Sequence, residues 1–271
     1  MKFDSNLAWK QASAAIAANR EVVLALAGVF FLLPNLALGL FLPQPEPVPG
    51  ASQAQMMELT RTYYGSALPF FIPMALIQAT GTLAVLTLFT DRTRPTVGEA
   101  IRLGLGGIIT YLAAQLILGI GIGVVAGLAI AIASLTGSQA LVAVLIAILI
   151  IGVAYLAVKT SLVAPIVAVE RERHALDALR RSWRLMRGNS VRVALFFLLV
   201  LVVFLVIISV VMALVGIVLA LAVSGETARA IATVVSSALG AIMTLYFVGI
   251  LAAVHRQLAG PSPEAASAPF E

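Results

Sequence analysis

Three arginines, Arg180, Arg184 and Arg187, recur at helical spacing, with Arg173 a further two turns upstream. Trp183 lies among them. A row of guanidiniums beside an indole suits phosphate-bearing headgroups at a membrane surface, because arginine holds phosphate in a two-pronged geometry while tryptophan favours the headgroup level. A second polar feature is Lys159, within Tyr155-Leu-Ala-Val-Lys-Thr-Ser161. Near the end of an apolar run, a lysine either snorkels its stem to the interface or forms a buried cation site. Gln115 is the other polar group proposed for such an intramembrane site; Gln78 and Asn35 read as interhelical hydrogen-bonders.

Acid–base and metal chemistry find no support. His174 and His255 have no ligand-like spacing, and there is no cysteine, so thiolate metal sites and disulfides are excluded. There is no Gly-rich phosphate loop with lysine and no nucleophile–base pair. No Asp, Glu or His lies well inside an apolar run, where a proton-coupled carrier or an intramembrane protease generally needs one. The expectation is a protein that is not an enzyme and carries no cofactor or metal.

The elements that position these residues can be read from composition. Of 271 residues, 61% are hydrophobic and 11% charged, against roughly 25% charged in a soluble domain. Too few polar side chains exist to cover a globule, so much of the surface must face lipid. A span needs about 20 apolar residues. Six runs qualify, at about 22–42, 67–90, 106–135, 140–164, 193–223 and 228–254, which predicts an all-α polytopic integral membrane protein with a six-helix domain over 22–259. The first run is too long for a signal-peptide core and reads as an uncleaved span.

Of the 17 lysines and arginines, all but Arg61 and Arg229 fall on one set of segments, with Lys159 near the inner end of span four. The positive-inside rule then places both termini in the cytoplasm of a bacterial inner membrane. The net charge of +5 is thus a topology signal and does not point to nucleic acid. The expected partners are membrane lipids, together with a membrane protein or a second copy of the chain.

Amphipathic interfacial helices are predicted ahead of spans one, three and five. The first occupies residues 1–21, with Asp4 or Ser5 as cap and Trp9, Ala12 and Ile16 on one face. The second starts at a Thr96/Glu99 capping box after Pro95. The third carries Leu176, Leu179, Trp183 and Met186 in one stripe beside the arginines. Two readings of this helix stay open: packing on the bundle with the arginines as topology signals, or direct contact with anionic lipid.

Asn19-Arg-Glu-Val22 echoes Asn189-Ser-Val-Arg192, and Gly98-Glu-Ala-Ile-Arg-Leu103 echoes Leu176-Asp-Ala-Leu-Arg-Arg181, which suggests three repeats of interfacial helix plus hairpin. Gly119, Gly123 and Gly127 form a small-residue face suited to helix packing. Pro165 is expected to kink or end span four. The first outer loop opens on Pro43, Pro45, Pro47 and Pro49, an extended chain, and then Ser52–Gln55 caps a short helix toward Tyr63 and Tyr64. Residues 260–271 read as a disordered cytoplasmic tail.

The stretch Val158–Glu170, together with Ala178–Asn189, resembles a bacterial integral-membrane family that includes YciC-like proteins and the membrane domain fused to some glycerophosphoryl diester phosphodiesterases. Lys159, Ser161, Pro165, Glu170, Ser182, Leu185 and Asn189 carry the likeness. It covers about thirty residues densely and the six-span layout loosely. The resemblance implies no catalytic residues: in the fused proteins hydrolysis belongs to a separate soluble barrel. The functional expectation is a non-enzymatic membrane protein contacting anionic lipid or a partner through its basic helices. The alternatives are a small-solute or lipid transporter with a pathway near Lys159 and Gln115, and an accessory subunit of an envelope enzyme.

Overall fold

Hydrocarbon offers the backbone no hydrogen-bond partners, so an apolar run closes its own bonds as helix. The computed structural model describes residues 2–42, 50, 52–90, 96–223 and 225–260, and every regular element among them is helical. Helix α1 (Ser5–Ala18) is capped by Asp4, whose carboxylate accepts from the Leu7 N–H at 3.0 Å. Span α2 (Arg20–Phe41) contains a π-helical segment over Gly28–Leu32, just ahead of Pro34, where the missing N–H shifts the ladder. Spans α3 (Gln53–Thr90) and α4 (Val97–Ser134) come next. Then come α5 (Gln139–Thr160), the short α6 (Val163–Val169), α7 (Ala175–Leu185), and spans α8 (Ser190–Ala222) and α9 (Gly225–Ala259). Together α5 and α6 make the fourth span, so among the described residues six helices are long and apolar enough to cross a membrane.

The spans differ in how they are used. Over their most apolar windows α9 is 56% buried and α3 44%, whereas α4 and α8 are 6% and the fourth span 0%. The centre is therefore α3 and α9 with α2, and spans three to five lie around it. Packing also differs along the bundle. Buried positions of α4 cluster in its first half, at Ala100, Gly104, Gly107, Thr110 and Ala114; those of α8 do the same, at Val193, Phe196, Val200 and Phe204. In α9 most are in the second half, through His255. All belong to the end of the bundle that carries α1 and α7. There the chain's beginning meets its far part. The Phe3 N–H donates to Asn189 Oδ1 at 3.0 Å, the Asp4 N–H to Gln257 Oε1 at 3.0 Å, and Gln257 Nε2 back to the Asp4 carbonyl at 3.1 Å.

Two predicted boundaries are corrected. The short helix predicted after the first span does open at its capping box, with the Ser52 N–H donating to Gln55 Oε1 at 2.9 Å and the Gln55 N–H to Ser52 Oγ at 3.3 Å. It then runs straight into span two, because Gly65 costs only about 1 kcal/mol in a helix and nothing stronger interrupts the chain before Pro69. Likewise the Thr96/Glu99 capping box forms, but the helix it starts is span three itself and no separate interfacial helix precedes it. The proline run 43–49, Arg92, Arg94, Pro95 and the tail 261–271 lie outside the described residues.

Units one and three do share a layout of helix, break and span. At Asn19 the N–H donates to the carbonyl three residues back (3.3 Å), while its own carbonyl accepts from the N–H four residues on (2.9 Å); Asn189 repeats both bonds at 3.2 and 3.0 Å. Unit two lacks the break, although its Ala100 is fully buried as Ala178 is in unit three.

Candidate functional site: a basic helix over a broken span

The fourth span breaks at Ser161–Leu162. Pro165 has no N–H to donate, and its ring crowds the carbonyl four residues back, that of Ser161. The break therefore lies a turn before the proline, which itself belongs to the first turn of α6. It leaves the Leu162 N–H and the Lys159 carbonyl without their usual helical partners. One side chain serves both: the fully buried Ser182 of α7 accepts from the Leu162 N–H at 3.2 Å and donates to the Lys159 carbonyl at 2.8 Å.

Lys159 lies in the last turn of α5, beside this pin. Its residue is only 6% exposed, and its Nζ lies over two rings, 5.6 Å from the centroid of Tyr155 and 5.2 Å from that of Trp183. The rings meet edge-on at 5.9 Å. Among the described residues no carboxylate reaches the ammonium. The lysine thus points into an aromatic corner between α5 and α7, where ring faces replace part of its hydration.

Helix α7 has three faces. Ala178 and Ser182, with Met186 just past its end, are buried in the bundle. Leu176 and Trp183 are exposed, and Leu179 is half-buried. Arg180, Arg184 and Arg187 are exposed, Arg180 making a loose pair with Asp177 at 3.4 Å. The predicted apolar stripe is therefore split: Met186 is core, whereas Leu176 and Trp183 face outward. Gly188, at φ +83°, ends the helix in a left-handed turn that other residues adopt at a cost. Arg173 does not join the arginine row. Its Nη1 donates to the Gly106 carbonyl, and its own carbonyl accepts from Thr110 Oγ1 at 2.9 Å, so it ties α4 to the α6–α7 link.

Between α4, α5 and α7 runs a groove of about 610 Å³, within the usual range for small-molecule sites, about 300–1,000 Å³. Its lining divides by exposure: Leu118, Leu156, Thr160 and Leu179 are half-buried and form the wall, while Trp183, Asp177, Arg180 and Arg184 are exposed and form the rim.

On the other side of α7, Glu170 receives Arg181 Nε at 3.0 Å and shares a 2.9 Å hydrogen bond with His255 Nε2. Burial pushes the Glu170 pKa up, but the bonds from His255 and Arg181 outweigh it and hold the carboxyl below its ordinary value. This clasp joins the fourth span, α7 and the end of α9. In the sequence Glu170 and Ser182 stand out only as positions in a family likeness, and His255 only as an isolated histidine. The signal for Ser182 is Pro165, which breaks the helical ladder and leaves backbone groups around the break in need of an outside partner.

The remaining predicted residues lie apart. Gln115 Nε2 donates within its own helix to Tyr111 Oη at 3.0 Å, and Gln115 does not line the groove. Gln78 Nε2 does cross between helices, to Asn35 Oδ1 at 3.2 Å. A Cβ placed on Gly119, Gly123 or Gly127 would meet nothing within 4 Å; close backbone approach occurs at Gly104 instead, and Gly107 makes room for the Val167 side chain. Among the described residues no cluster of three acidic or histidine side chains could hold a metal ion.

Residues 10–258 match the family model described as a domain of unknown function, DUF7847. The chain belongs to this family. No curated protein and no solved structure matches it. The DUF7847 match covers α2 to α8, almost all of α9 and most of α1, so the broken span, the basic helix and the clasp all lie inside the family's domain.

Proposed function

We propose that this DUF7847 protein is a non-enzymatic, multi-pass protein of the bacterial inner membrane that engages anionic phospholipid at the cytoplasmic leaflet through α7. The observation that carries the reading is the outward placement of Arg180, Arg184 and Arg187 while the opposite face of α7 is locked into the bundle by Ser182. A helix fixed in this way presents its cations at a set depth and angle, and each basic residue near an anionic bilayer surface contributes about 1 kcal/mol. The charge bias of the loops supports the cytoplasmic placement of this end. The YciC-like likeness over residues 158–189 supports a bacterial envelope setting and a distant kinship with those proteins.

The test is lipid retention in native mass spectrometry. The triple variant Arg180→Gln, Arg184→Gln, Arg187→Gln is expected to lose its preference for phosphatidylglycerol over phosphatidylcholine. Unchanged selectivity refutes the proposal.

A further inference from the structure

We infer that the groove between α4, α5 and α7 is a specific site for one monoanionic diacyl phospholipid, with an acyl chain along Leu118 and Leu156 and the phosphodiester between Arg180 and Arg184. This deepens the reading above and rests on it.

The groove is built in two chemical layers. Its wall comes from the third and fourth spans, through Leu118, Leu156 and Thr160, and from Leu179 of α7. Its rim comes from α7, with two guanidiniums, one carboxylate and one indole. An apolar trough inside the spans that ends in cations at the interhelical link matches a lipid's own order, chain below and headgroup above. A soluble phosphate would use the rim and leave the trough unfilled.

The rim's charge narrows the class. Asp177 partly satisfies Arg180 at 3.4 Å. Among the described residues no carboxylate pairs with Arg184. Two arginines against one aspartate, with the Lys159 ammonium beside Trp183, leave the site net positive, which complements a phosphodiester whose headgroup is otherwise neutral, such as a glycerol. A zwitterionic headgroup would bring its own cation against the guanidiniums. Trp183 both lines the groove and lies 5.2 Å from the buried Lys159 ammonium, so an occupant of the groove touches a member of the aromatic corner.

The same indole supplies the readout. Trp9 is the other tryptophan of the chain, and it stacks on Tyr246 of α9, so Trp9→Phe leaves Trp183 as the sole tryptophan fluorophore. Full-length Trp9→Phe protein in phosphatidylcholine nanodiscs is titrated with phosphatidylglycerol brominated on its acyl chain, and in parallel with brominated phosphatidylcholine at equal mole fraction. Saturable quenching of Trp183 by the anionic lipid at low mole fraction is expected, with only the shallow, linear quenching of bulk lipid from the zwitterion. Arg184→Gln should weaken the saturable phase about fivefold. Leu118→Phe, which fills the trough and spares every cation, should abolish it.

Equal quenching by the two lipids, or a saturable phase unaffected by Leu118→Phe, overturns the groove site. The arginine-dependent selectivity seen by mass spectrometry can survive that outcome, because surface attraction alone produces it. If the triple arginine variant also keeps its selectivity, the broader reading fails as well. A circular-dichroism melt of each variant confirms that it is folded before quenching is compared.

Discussion

Replacing Ser182 with alanine removes one oxygen and strands two backbone groups. The Leu162 N–H loses its 3.2 Å acceptor and the Lys159 carbonyl its 2.8 Å donor. Leu162 and Ser182 are fully buried, so water does not replace the hydroxyl. An orphaned buried polar group costs about 1–3 kcal/mol, so the pair costs about 2–6 kcal/mol. At about 2–4 °C per kcal/mol for a chain of this size, Tm should fall by at least about 4 °C. The assay is thermal unfolding in detergent, monitored by tryptophan fluorescence, since Trp183 is the very next residue after Ser182. Pro165 provides the internal control. Pro165→Ala supplies an N–H to the Ser161 carbonyl and lets the helix continue through the break, so the loss caused by Ser182→Ala should shrink in the double variant. A coupling of about 1 kcal/mol or more is expected between the two positions. If Ser182→Ala melts within a degree or two of the parent, the hydroxyl is not bridging the break and the account of α7's attachment is wrong.

The remaining predictions concern other parts of the bundle. A Cβ at Gly104 would lie 3.0 Å from the Ala84 nitrogen and 3.2 Å from the Thr80 carbonyl oxygen, so Gly104→Ala should cost about 1–3 kcal/mol in a melt, whereas Gly123→Ala, which meets nothing, should be neutral or stabilising by up to about 1 kcal/mol. The Glu170 carboxyl titrates below its unfolded value of 4.5, so its contribution is complete above that pH and disappears as pH falls through the folded value. Glu170→Gln should therefore melt lower than the parent at neutral pH, and the gap should close under acid; a gap independent of pH would contradict the clasp. Lys159→Met exchanges a buried ammonium that lacks a carboxylate partner for an apolar chain of similar length. Desolvating the ammonium costs several kcal/mol, against about 2 kcal/mol from the ring faces, so its Tm should be unchanged or higher, and a drop of more than about 5 °C would show the aromatic corner to be a stabilising element.

Much of this architecture was legible in local patterns. Continuous apolar runs require helices in hydrocarbon, and capping residues such as Asp4, Ser52 and Thr96 start helices through bonds to neighbours three residues away. The extent of the helix beyond each cap was harder to read. Thr96 begins an amphipathic stretch that merges into span three, and the first turns beyond Ser52 merge into span two, because nothing between cap and span breaks the helix strongly enough. The break in span four was signalled by Pro165, yet its position a turn earlier and its repair by Ser182 depend on packing. The Glu170–His255 bond joins residues 85 positions apart, and no spacing rule reaches that far. Likewise Gly104, which admits a neighbouring backbone, and Gly107, which admits the Val167 side chain, are separated from the more regular series at 119, 123 and 127 only by where the neighbouring helices run.

Helix α3 has 38 residues and so reaches about 57 Å, nearly twice the roughly 30 Å of hydrocarbon it crosses. The surplus falls at its beginning, where Gln53, Gln55, Glu58, Thr60 and Arg61 are far more polar than the turns after Ala67. The Tyr63 hydroxyl donates to the Leu42 carbonyl at 3.3 Å and braces this overhang against the end of α2. About two to three turns of helix thus stand in water like a mast above the headgroups. That projection makes residues 53–62 the stretch that an antibody or an added protease meets first on that face of an intact vesicle.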